Sequence, residues 1–157
     1  MNYNEWEKEL PMQILEDHLW KVEAYRLGLF IADIGWHDIT KLVKDKRTIK
    51  LSDQLYRSLG SISANIAEGY SRKSNKEKAR FYEYALGSAR ESRDWYFKAR
   101  HLLTNQVTDH RIEFLTQIIK LLNKMITQQR NFQINEPLSE YSIAQNAEET
   151  QFQEIPF

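Results

Sequence analysis

The sequence contains no cysteine, so disulfide frameworks, thiolate zinc sites and cysteine nucleophiles are all excluded. It has three prolines, and none lies between Pro11 and Pro137. Across that span nothing is forced out of helical geometry by a missing amide or a ring clash. Glycine is scarce too, at five residues, and none forms a phosphate loop, a Gly-x-Ser-x-Gly elbow or a glycine run that opens a helix after a strand. A nucleotide-dependent enzyme has no recognisable site here. His18, His37, His101 and His110 are the only histidines, and no two share the three- or four-residue spacing that places metal ligands on one helix face. The Glu-x-x-His repeats of paired-helix di-iron sites are missing as well. No cofactor, no metal and no catalysis are expected. There is no run of about 18 apolar residues, and Met1 to Leu10 carry Glu5, Glu7 and Glu9 instead of a signal-peptide core. The expectation is a cytoplasmic protein with no membrane partner.

What is present points to helix. Apolar residues make up 41% and charged ones 28% of 157, the composition of an all-α globular domain. Residues 1–16 read as an N-terminal arm and 17–131 as the folded body. Within the body, apolar periodicity marks four segments. The first runs from about Asp17 to Lys44, through Leu19, Val22, Leu27, Phe30, Ile34 and Leu42. The second runs from about Thr48 to Glu68, with Leu51, Leu55, Leu59, Ile62, Ile66 and Tyr70 at steps of three or four, and Gly69 predicted to close it in a left-handed cap. Ser74 and Glu77 then match a capping box. The third segment places Phe81, Ala85, Ser88, Ser92, Trp95, Ala99 and Leu102 on one side. The fourth starts near Thr108, a plausible N-cap, and carries Ile112, Leu115, Ile118, Ile119, Leu122, Met125 and Ile126 to about Arg130. Short links predict an antiparallel up-down-up-down four-helix bundle. Residues 132–157 lose the periodicity, and their glutamates predict an acidic, flexible C-terminal tail.

The run from Ser61 to Tyr70, containing Asn65-Ile66-Ala67-Glu68-Gly69, is followed by Arg72, Ser74 and Glu77 and then by Ala85-Leu86-Gly87-Ser88-Ala89-Arg90-Glu91. Together with Trp20 and Ala24, these blocks resemble the four-helix-bundle family of 23S rRNA intervening-sequence proteins and Avd-like accessory proteins of diversity-generating retroelements. The resemblance covers about residues 15–131. It implies a ring-like homopentamer with a basic surface that binds nucleic acid and, in retroelements, serves a reverse transcriptase. Read without the family, the same blocks are rich in small side chains that allow close helix approach. Asn65 among apolar neighbours reads as a buried amide that fixes register.

The formal net charge of zero is a sum of unlike parts. From Leu19 to Asn135 there are 21 bases and 12 acids, a formal +9, while both ends are acidic. The bases fall into two turn clusters and a stripe. Lys44, Lys46, Arg47 and Lys50 lie at the first turn, and Arg72, Lys73, Lys76, Lys78 and Arg80 at the second. Arg90, Arg93 and Lys98 continue along the third helix. These are the candidate nucleic-acid-binding residues, since clustered bases offer salt-dependent, sequence-tolerant phosphate contacts. The sequence therefore suggests a homo-oligomeric accessory protein that binds structured RNA or an RNA-handling partner such as a reverse transcriptase. The rival is a scaffold that recruits partner helices without touching nucleic acid.

Overall fold

The structure, a computed structural model, describes residues 2–131. Helices α1 (Tyr3–Lys8) and α2 (Met12–Leu15) come first, followed by a 3-10 turn at His18–Lys21. The long helices α3 (Glu23–Leu42), α4 (Ile49–Tyr70), α5 (Asn75–Ala99) and α6 (Asn105–Asn131) complete the described chain. The expected four-helix bundle is thus corrected: the described residues form six α-helices and no strand. The homopentamer was drawn from the same four-helix resemblance and is not supported by this six-helix chain. The expected acidic tail, 132–157, lies outside the described residues.

Local chemistry explains the extra helices. Asn2 accepts the Glu5 amide at 3.0 Å while its own amide donates to the Glu5 carboxylate at 2.8 Å, a reciprocal cap that starts α1. That helix exists to deliver Trp6. Its indole is 3% exposed, lies 4.9 Å from the Phe30 ring, and donates from Nε1 to Asp33 at 2.7 Å. A buried tryptophan removes roughly 150–250 Å² from water, worth at most about 4–6 kcal/mol. This single anchor outweighs the weak intrinsic stability of a six-residue helix.

The long helices pack in ring order, α3 on α4, α4 on α5, α5 on α6 and α6 back on α3. Their short links make neighbours antiparallel. Leu55, Leu59, Ile62 and Ile66 of α4 are fully buried, as their spacing predicts. On α5 the phase differs from expectation: Ala79, Tyr82, Ala85, Ala89, Ser92, Tyr96 and Ala99 face the core, and Phe97 is exposed while Trp95 is half-buried. Tyr96 holds an interior position because its hydroxyl meets the buried Asp38 carboxylate there, at 2.9 Å.

Two boundaries shift for identifiable reasons, and the start of α5 at Ser74 stands where the sequence put it. Gly69 is helical, with no positive φ among the described glycines. A Cβ there would stand 2.9 Å from Phe81 Cβ and 2.8 Å from the Tyr82 ring, so this glycine permits close approach rather than capping. Ser74 does cap α5, accepting the Glu77 amide at 3.2 Å, but the Glu77 carboxylate returns to the Ser74 hydroxyl and not to its amide. Helix α6 begins at Asn105, where Thr104 Oγ1 accepts the Val107 amide at 3.3 Å, and Thr108 is buried inside the first turns.

Candidate nucleic-acid interface

The antiparallel order puts the α3–α4 turn and the α5–α6 turn at one end of the long helices. The α4–α5 turn lies at the other, where α6 also finishes. At the first end Lys44, Lys46, Arg47 and Lys50 are exposed. Asp45 organises this turn. Its carboxylate accepts the Arg47 amide at 2.9 Å and pairs with the Arg47 guanidinium at 2.5 Å. Those hydrogen bonds hold the Asp45 carboxyl down at about 2. Arg47 is therefore half committed, whereas Lys44, Lys46 and Lys50 have no ion pair among the described residues. Arg100 joins this end, donating to the Phe97 carbonyl at 2.7 Å and lying 4.0 Å above its ring.

At the second end the five bases differ in freedom. Arg72 pairs with Glu68 one turn back and lies 4.7 Å over the Phe81 ring. Arg80 donates to the Tyr84 hydroxyl at 2.7 Å. Lys73 and Lys76 are exposed, Lys78 is half-buried, and none of the three has an ion pair among the described residues. Arg130, from the last turn of α6, completes this end by pairing with Glu83. It lines a recess of about 360 Å³ with Lys76, Glu77, Ala79, Arg80 and Glu83. Sequence reading missed Arg130 because its neighbours here are 47 or more residues away.

Along α5 the stripe is largely self-satisfied. Lys98 pairs with Asp94 at 2.5 Å and lies 4.2 Å over the Trp95 ring, and Arg93 donates to Thr116 at 3.3 Å. Arg90 stays exposed without an ion pair among the described residues. Asn65 is no register-fixing core amide. It is half-buried and donates within its own helix to the Ser61 carbonyl at 2.7 Å.

The polar centre lies elsewhere. Asp38 of α3, Tyr96 of α5 and Arg111 of α6 are fully buried together, with Arg111 Nε to Asp38 at 2.8 Å and the Tyr96 hydroxyl donating to Asp38 at 2.9 Å. Burial, the Asp38 charge and this hydrogen bond push the Tyr96 hydroxyl well above its ordinary range, so it remains a donor. Nothing reaches this centre from solvent, and its work is to hold three helices in register. Among the described residues no cluster of three or more His, Asp or Glu side chains is placed to hold a metal. No described helix is long and apolar enough to cross a membrane.

Comparison with known proteins agrees with this architecture. The family model of the 23S rRNA-intervening sequence protein matches residues 22–151. A crystal structure at 1.70 Å of a protein with unknown function from the S23 ribosomal protein family of Bacteroides thetaiotaomicron VPI-5482 is 26% identical. It superposes with a TM-score of 0.62 over 66% of this chain and 97% of its own. No curated protein matches the chain.

Proposed function

The chain belongs to the 23S rRNA-intervening sequence protein family, and from that premise we propose that it is a non-catalytic accessory protein that binds structured RNA through the basic ends of its helical body. The observation that carries this reading is the second end, where Lys73, Lys76 and Lys78 stand without ion pairs among the described residues beside Arg72, Arg80 and Arg130. Bases not already spent on carboxylates release counterions from phosphates at full value. The α5 stripe contributes less, because Lys98 must leave Asp94 before it can meet a phosphate. Contacts of this kind read backbone shape and charge, so the ligand class is folded RNA of little sequence constraint. Assembly with further copies would multiply the bases presented, and an RNA-handling enzyme such as a reverse transcriptase is the class of protein partner that such an accessory would serve.

A scaffold reading has one observation in its favour, an apolar groove bordered by exposed Trp36 and Tyr56. RNA titration at several salt concentrations separates the two, since a scaffold of that kind leaves generic RNA unbound at any salt.

A further inference from the structure

Beside α1 and α2 runs an apolar groove that the described chain leaves unfilled. It encloses about 710 Å³ between Trp6, Leu10 and Ile14 on one wall and the outer faces of α3 and α4 on the other. Its floor is low because α4 presents Gly60, Ser61 and Ala64 there, and a Cβ on Gly60 would have no neighbour within 4 Å. On its rim Trp36 is 57% and Tyr56 49% exposed, with ring centroids 5.8 Å apart. Two large aromatics exposed side by side at a concave apolar surface mark a contact site.

We propose that the groove is occupied by this chain's own residues 152–157, with Phe152, Ile155 and Phe157 as apolar anchors and Glu154 meeting Arg57. Reach permits it. Twenty residues separate Asn131, the end of α6, from Phe152, and they span up to about 66 Å when extended. Helix α6, with 27 residues, is only about 40 Å long at 1.5 Å per residue, so any face of the body is within range. Charge permits it as well. The span from Glu136 to Phe157 carries five glutamates and no base. Among the described residues Arg57, at the groove, has one loose ion-pair partner, Asp53 at 3.9 Å, and its side chain is 73% exposed. This proposal is independent of RNA binding.

The test uses the full chain, which has no native thiol. Ala64→Cys combined with Gln153→Cys places one thiol on the groove floor and one among the anchors. Glu113→Cys with Gln153→Cys is the control on the exposed side of α6. Under mild oxidation at low protein concentration, the groove pair should close an intrachain disulfide at least tenfold faster than the control, and adding Phe152→Ser and Phe157→Ser should remove the difference. In the cysteine-free chain the same two serines should shift tryptophan emission to the red as Trp36 loses cover. Equal closure rates for the two pairs would overturn the proposal. So would disulfides formed only between chains, which would give the groove to a second copy, or an unchanged emission spectrum.

Discussion

Arg111 and Asp38 meet at 2.8 Å with both side chains completely buried, 73 residues apart in sequence. A pair so placed gains little over apolar packing, because desolvation consumes most of the attraction. Its asymmetry is the important property: removing either partner leaves the other charge buried without the opposite charge it meets at 2.8 Å. Arg111→Met alone should therefore cost about 3–5 kcal/mol, and Asp38→Asn alone a similar amount. The double variant Asp38→Leu/Arg111→Met should recover much of that loss. Chemical denaturation of the three variants checks this, and additive losses would show that the two charges act separately.

His110 borders the same centre, and its behaviour fixes a pH window. Burial first, and then the neighbouring Arg111 charge, depress its imidazolium to about 4. Arg111 Nη1 lies 2.9 Å from His110 Nδ1, and since a guanidinium only donates, that nitrogen must accept. Below about 6.5 the unfolded histidine takes up a proton that the folded one refuses. Stability from this group is thus intact above about 6.5 and falls progressively as pH drops towards 4. Melting temperatures from pH 7 to 4.5 should decline, and His110→Gln should flatten part of that slope. An unchanged slope would remove His110 from the account.

Three helical glycines give opposite expectations from one substitution. Gly60 and Gly87 have open space where a Cβ would go, so Gly→Ala there should stabilise by about 0.5–1 kcal/mol through helix propensity. Gly69→Ala gains the same propensity but drives a Cβ to 2.9 Å from Phe81 Cβ. Overpacking at about 1–3 kcal/mol wins, and the variant should melt below the parent. Thermal scans of all three settle the comparison.

How much of this was legible depends on the length over which each signal repeats. The α4 stripe is legible through Leu55, Leu59, Ile62 and Ile66 because one apolar face repeats along 22 residues, and it fails at Tyr70, which is exposed at the last turn. On α5 the strongest apolar signals, Phe81 and Trp95, lie beside the core, while the true core marks, Tyr82, Ala89 and Tyr96 at seven-residue spacing, are small or amphipathic. The two short helices left only one signal, Asn2 three residues before Glu5 with Trp6 following. Local propensity cannot announce a helix that is held by tertiary packing. At the candidate interface the clusters were legible as charge runs in the turns, but which bases are spent was not. The Glu83–Arg130 pair spans two helices, and such partners become visible only once the helices are placed.

Binding of a generic structured RNA, measured from low to physiological salt, tests the central claim most directly. With three or more bases engaged, log K should fall against log salt with a slope of about −2 to −3. Lys73→Ala/Lys76→Ala should reduce the magnitude of that slope by about 1–2 while leaving the melting temperature unchanged. Binding that ignores salt, or a slope that survives both substitutions intact, would contradict the account.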